Sequence, residues 1–146
     1  MTINELTTSL QELNKQISRV LRESRFADYD DLSGLDLDYE NPEERFLLTE
    51  YREIMDSLDQ VNRALNYLKR PIKGTYILHR NSRDRYECEC REFTSGNSIE
   101  AYIFDEYSER FEWIASRIEH NGSNYYIVGY PETELEGLKI RIRESI

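Results

Sequence analysis

Residues 65–77 read LNYLKRPIKGTYI, and within this stretch the spacing of the apolar side chains changes. Up to Leu68 the apolar residues recur every three or four positions, which is typical of a helix, whereas after Pro71 they begin to alternate with polar ones. Proline lacks a backbone N–H and its ring clashes with the preceding helical turn, so it ends the helical pattern. The sequence therefore predicts an α+β chain, with a helical part at residues 1–70 and a β domain at residues 71–146.

Upstream of Pro71 the sequence predicts two helices with caps. Thr2 with Glu5 has the pattern of a capping box, and Asn41, Pro42 and Glu44 mark the start of the second helix in the same way. Matching heptad seams joined by a connection of about 17 residues predict an antiparallel helical hairpin. The longer second helix leaves part of its seam for the C-terminal domain or a second copy to cover. The seams are Ile3, Leu6, Leu10, Leu13, Ile17 and Val20 in the first helix, and Leu47, Tyr51, Ile54, Leu58, Val61, Leu65 and Leu68 in the second.

Downstream of Pro71, short runs rich in Tyr, Ile, Val and Phe predict five or six antiparallel strands. Asn121-Gly122 between two such runs is a strong hairpin signal. Closure into a small SH3-like barrel is expected, because closure protects strand edges. The predicted strands lie near Gly74–Arg80, Arg85–Glu92, Ser98–Asp105, Phe111–Glu119, Tyr125–Val128 and Leu138–Arg143.

An acidic segment (residues 26–44) connects the predicted helices. Between Arg25 and Arg45 the chain has eight carboxylates and no basic residue, with large apolar side chains among them. This mixture predicts a loop that presents negative charge at fixed positions, where it could occupy a basic groove built for nucleic acid; a merely solvated loop is the alternative. The predicted partner-binding residues are Asp28, Tyr29, Asp30, Asp31, Asp36, Asp38, Tyr39 and Glu40.

The net charge of −10 favours basic partners and argues against general binding to phosphate backbones, which requires Lys and Arg. One short segment has the opposite, positive charge. Lys139, Arg141 and Arg143 alternate with apolar residues, so they share one face of a predicted strand. With Tyr125 nearby, this stripe is a candidate contact for an anion or a nucleic acid. Pairing with acids of the same or a neighbouring chain is the alternative.

No residue pattern in the chain indicates a reaction. Ser95 lies outside any nucleophile elbow, and His120 before a tight turn is typical of a histidine bonded to the backbone. Cys88 and Cys90 are predicted to be reduced thiols, because a disulfide between residues two apart would be strained. Part of the acidic segment resembles a calcium loop, but its glycine and terminal glutamate are out of register. We therefore predict no enzymatic activity, no metal and no cofactor, and, without a signal peptide or membrane span, a cytoplasmic protein.

Several motifs in residues 74–143 resemble a small uncharacterised domain family of Gram-positive bacteria and their plasmids, conjugative elements and phages. The chain departs from that family by the charged stretch Glu106–Glu112 and by its helical N-terminal part. The resemblance transfers no catalytic residue. The motifs are Asn81–Tyr86, Glu92–Glu100, Trp113, Arg117–His120, Tyr125-Tyr126 and Leu138–Arg143.

The resemblance implies a mobile-element context, in which small acidic proteins often disarm host defence. The predicted function is therefore a non-enzymatic accessory protein that inhibits a nucleic-acid-handling defence system in the manner of an anti-CRISPR protein. Its partner would be a basic protein groove, such as that of a CRISPR effector. Two alternatives stay open: a nucleic-acid-binding module that uses the basic strand, and an interaction module that forms a homodimer through the helical hairpin.

Overall fold

The computed structural model describes residues 1–26, 32–89 and 91–145, and the chain divides into two compact units. The helical unit comprises Met1–Lys69, and the β unit comprises Arg70–Ile146. Two long helices followed by antiparallel sheets confirm the α+β class.

Both long helices begin where the caps predict. Helix α1 spans Ile3–Glu23, and the Thr2 hydroxyl and Glu5 carboxylate each accept the other's backbone N–H. Helix α2 spans Pro42–Leu68, with the Asn41 side chain accepting from two N–H groups of the first turn. Glu44 does not complete the second capping box, because its carboxylate instead accepts the N–H of Asp38.

The core of the helical unit uses only part of the predicted seams. Asn14 is 4 % exposed, and its amide donates to Asn62 Oδ1 at 2.7 Å; the Ser18 hydroxyl donates to the same oxygen at 2.9 Å. This polar cluster satisfies groups that would be costly to bury alone. Other seam residues stay exposed, Leu13 and Val61 among them. The buried apolar residues are Ile17, Leu21, Phe26, Leu32 and Met55.

The described residues of the β unit form two antiparallel sheets. A five-stranded sheet has the order β1-β8-β5-β6-β7, and a three-stranded sheet has the order β2-β3-β4. The strands are β1 Ile72–Ile77, β2 His79–Arg80, β3 Tyr86–Cys88, β4 Arg91–Phe93, β5 Ser98–Asp105, β6 Arg110–His120, β7 Tyr125–Ile127 and β8 Lys139–Arg143.

No closed barrel is found in the described part of the β unit, so the prediction of a closed barrel was wrong. Two predicted strands are each divided. Leu78, fully buried, separates β1 from β2, and the run Arg85–Glu92 forms the β3–β4 hairpin that places Tyr86 opposite Phe93. Strands of two or three residues offer too few ladder hydrogen bonds to extend the main sheet into a ring. The core between the sheets includes Phe93, Ile99, Ala101, Ile118, Ile127 and Ile140.

Within residues 1–26, 32–89 and 91–145, neither long helix has an apolar stretch sufficient to span a bilayer.

Candidate interaction surface

The outer face of the five-stranded sheet carries large aromatic and charged side chains. Successive residues of a strand point to opposite faces, so Ile99, Ala101 and Ile140 enter the core while their neighbours point away from it. The strand pairing places Glu100 beside Arg141, Tyr102 beside Trp113 and Phe104 beside Phe111. We call this surface the outer face; its residues are Glu100, Tyr102, Phe104, Phe111, Trp113, Lys139, Arg141 and Arg143.

Four of these side chains form an aromatic cluster. The ring centroid of Tyr102 lies 4.9 Å from that of Trp113 and 5.4 Å from that of Phe111. Phe104 meets Phe111 edge-on at 5.4 Å, and these two phenylalanines are 49 % and 56 % exposed. Exposed aromatic side chains in one patch are typical of interaction sites, because they are costly to leave in water.

Two of the predicted stripe residues lie over the aromatic rings. The Lys139 ammonium is 5.1 Å from the centroid of Tyr102 and 5.8 Å from that of Trp113. The Arg141 guanidinium lies 4.3 Å from the centroid of Trp113. These are cation–π distances, so the cations help to fix the orientation of the rings.

Glu100 neutralises much of the predicted basic stripe. Its side chain accepts from Arg141 Nε at 2.8 Å and from Arg143 Nε at 2.5 Å, and the residue is 3 % exposed. Arg143 also donates to the carbonyl of Arg70. Arg141 and Arg143 therefore pair with an acid of their own chain, as one of the two alternatives predicted. Lys139 remains exposed.

The acidic segment is only partly described. Asp28, Tyr29, Asp30 and Asp31 lie outside the described residues, whereas Asp36, Asp38, Tyr39 and Glu40 are exposed. The Asp38 carboxylate accepts the N–H of Glu40, so it forms a local turn.

Buried anchors hold the described part of this segment in the helical unit. Phe26 and Leu32 lie in its core, and Gly34 donates its N–H to the carbonyl of Ser24 at 3.1 Å. A Cβ on Gly34 would meet that carbonyl oxygen at 2.5 Å, so only glycine fits this close approach.

The predicted site residue Tyr125 lies beside a polar network around Glu92. The carboxylate of Glu92 accepts from Arg85 at 2.8 Å and from the Asn81 amide at 2.7 Å, and Arg83 also pairs with it. Hydrogen bonding from Arg85 lowers the pKa of Glu92, with Asn81 and Arg83 acting in the same direction. Interaction with Glu92, and to a lesser extent with Tyr125, raises the pKa of Arg85.

This network predicts a pH-dependent contribution to stability. Because the pKa of Glu92 is lowered on folding from 4.5, the contribution is complete above about pH 5 and is lost as the pH falls through the folded-state pKa. We expect the difference in urea midpoint between wild type and E92Q, followed by Trp113 fluorescence, to be constant from about pH 7 to 5 and to shrink towards about pH 3. A difference that is the same at all pH values contradicts this assignment.

The other candidate residues have local roles. His120 Nδ1 accepts the N–H of Gly122 at 3.0 Å, and Arg117 pairs with Glu119 on the same strand at 3.0 Å. Cys88 is half-buried in β3, and Cys90 lies outside the described residues. Among the described residues no group of three or more His, Cys, Asp or Glu side chains could hold a metal ion.

The sequence reasoning missed the aromatic cluster. A signal was available, because Tyr102 and Phe104 precede the β5–β6 turn and Phe111 and Trp113 follow it, all at alternate positions. Strand pairing then brings the two pairs together.

Residues 75–142 match the model of one protein family, described as Domain of unknown function (DUF5348). This match confirms that the C-terminal part of the chain contains an uncharacterised small domain. No curated protein and no solved structure matches the chain.

Proposed function

We propose that this chain, whose C-terminal half matches the DUF5348 domain, is a non-enzymatic protein-interaction module that binds another protein through the outer face. The aromatic cluster, in which Phe104 and Phe111 are exposed and which Lys139 and Arg141 flank, is the observation that carries the proposal. Trp, Tyr and Arg are the residues that most often dominate binding energy at protein interfaces. Burying the exposed rings of Phe104 and Phe111 supplies the apolar centre of such an interface.

The outer face suits a protein better than a nucleic acid. Single-stranded nucleic acid needs open ring faces for base stacking and several cations for phosphates. Here Lys139 and Arg141 already lie over the rings, and Glu100 neutralises two arginines. A nucleic-acid-binding module built on this strand is therefore the less favoured alternative.

The biological setting that we propose is inhibition of a nucleic-acid-handling host defence system by a cytoplasmic protein of a mobile element, in the manner of an anti-CRISPR protein. The net charge of −10 and the exposed Asp36, Asp38 and Glu40 support a second contact, to a basic groove of the partner. Charge complementarity of this kind raises association rates and is weakened by salt.

The test separates the two surfaces by affinity capture with the immobilised protein, quantified by mass spectrometry at low salt. F104A/F111A is expected to lower the recovery of the specific partner by about tenfold or more, because exposed aromatic anchors are lost. Y107A is the matched control, because Tyr107 is fully exposed in the neighbouring turn. If F104A/F111A recovers as much of the specific partner as the wild type does, the outer face is not the contact surface. Recovery unchanged in D36N/D38N/E40Q contradicts the basic-groove contact.

A second candidate function is self-association through the helical unit. Large apolar residues at heptad spacing remain exposed on both helices, which a second copy could cover. The exposed positions are Leu6, Leu13 and Val20 on α1, and Ile54, Val61 and Leu68 on α2.

A further inference from the structure

The β unit has an open groove of about 500 Å³ between the edge of its main sheet and the C-terminal end of β3 in the small sheet. Thr75 and Ile77 of the edge strand β1 line one side, and Glu87 and Glu89 line the other. Strand β1 is an edge strand of the main sheet. The groove is thus bounded on one side by a strand edge, which is a template for a further strand.

The backbone of β1 directs hydrogen-bonding groups into this groove. Leu78, directly after β1, donates its N–H to Leu138 and accepts from Gly137, so its backbone groups point to the β8 side. Antiparallel strands alternate the side to which successive residues direct these groups. Ile77 and Thr75 lie one and three residues before Leu78, so they direct their N–H and C=O groups to the outer edge.

The groove is lined by acidic side chains. The ionisable residues in its described lining are Tyr76, His79, Glu87, Cys88 and Glu89, and this lining includes no Lys or Arg. His79 Nδ1 is bonded to the Glu136 carboxylate at 3.0 Å, which adds a third acid beside the groove. The groove therefore complements an extended segment with positive charge.

We propose that this groove binds an extended segment of another protein that carries Lys or Arg at alternate positions, by addition of a strand to β1. Main-chain hydrogen bonds to Thr75 and Ile77 provide the register, and cationic side chains on one face of the added strand meet Glu87 and Glu89. The groove adjoins the outer face, because Thr75 and Ile77 pair with Arg141 and Lys139 of β8. The proposal does not depend on the function proposed for that face.

The test uses the full-length ¹⁵N-labelled protein and a synthetic peptide, acetyl-TKVKVKT-amide. We expect binding with a Kd below about 1 mM, with chemical-shift changes and slower amide exchange at Thr75 and Ile77. The acidic peptide acetyl-TEVEVET-amide should bind at least about tenfold more weakly. The lysine peptide N-methylated at alternate residues should also lose binding, because it cannot pair with a strand.

Two double variants separate groove charge from overall charge. E87Q/E89Q should weaken the lysine peptide by about tenfold, whereas E106Q/E109Q removes the same charge from the exposed β5–β6 turn and should change binding less than about twofold. E87Q keeps an acceptor for the Asn81 amide, so the fold is retained. Equal binding of the two peptides, shifts confined to other residues, or equal effects of the two double variants would overturn the proposal.

Discussion

Replacement of Glu100 by glutamine is expected to lower the free energy of unfolding of the β unit by about 3–5 kcal/mol, because it leaves buried cations without their counter-charge. The carboxylate accepts from Arg141 and Arg143, and both pairs are largely shielded from water. Glutamine has the same shape, but its NH₂ group would face the N–H donors of a guanidinium. Urea unfolding followed by the fluorescence of Trp113, the single tryptophan, measures the loss.

A matched control lies in the same sheet. Glu119 is half-buried and pairs with the exposed Arg117 on β6, so E119Q should cost about 0.2–1 kcal/mol. The triple variant E100L/R141M/R143M should recover most of the stability lost in E100Q, because well-packed apolar residues can replace a buried ion network. A loss in E100Q no larger than that in E119Q would show that the buried network contributes little.

The elements that local patterns specify were predicted well. Helices α1 and α2 follow directly from heptad spacing and from the caps at Thr2 and Asn41, which act within one turn. Strand β5, Ser98–Asp105, has the predicted bounds because the turn residues Ser95, Gly96 and Asn97 directly precede it.

The features that depend on distant contacts could not be predicted. Glu100 pairs with arginines more than 40 residues away, so nothing in its neighbourhood in sequence indicates that it is buried. The run Arg85–Glu92 looks like one strand, but the pairing of Tyr86 with Phe93 requires a hairpin within it. The heptad seams predict packing residues, yet they do not determine which part of each seam faces the other helix.

That last point underlies the proposal of self-association. Asn14 bonds to Asn62 and Lys69, whereas Leu21 belongs to the same core cluster as Met55. Later residues of α1 therefore contact earlier residues of the second helical segment. From this order we infer that the two helices form an antiparallel hairpin. The exposed stripes are the exposed heptad positions named above, centred on Leu13 in α1 and on Val61 in α2. Successive helical residues are about 100° apart around the axis, so each stripe lies roughly a quarter turn from the buried positions of its own helix. The direction of this rotation is the same on both helices. In an antiparallel pair this puts both stripes on one side of the two-helix layer.

Two such layers would form a four-helix bundle in which each copy covers the apolar stripes of the other. We expect the wild-type protein to show twice its chain mass of 17.5 kDa in multi-angle light scattering at about 100 µM.

L13E/V61E places charges in both stripes, at residues that are each 43 % exposed, and should weaken self-association by about a hundredfold or more without unfolding the helices. Y39E/Y107E adds the same charge at exposed sites outside the stripes and should leave the mass doubled. A wild-type mass of a single chain, or a doubled mass in L13E/V61E, would contradict this interface.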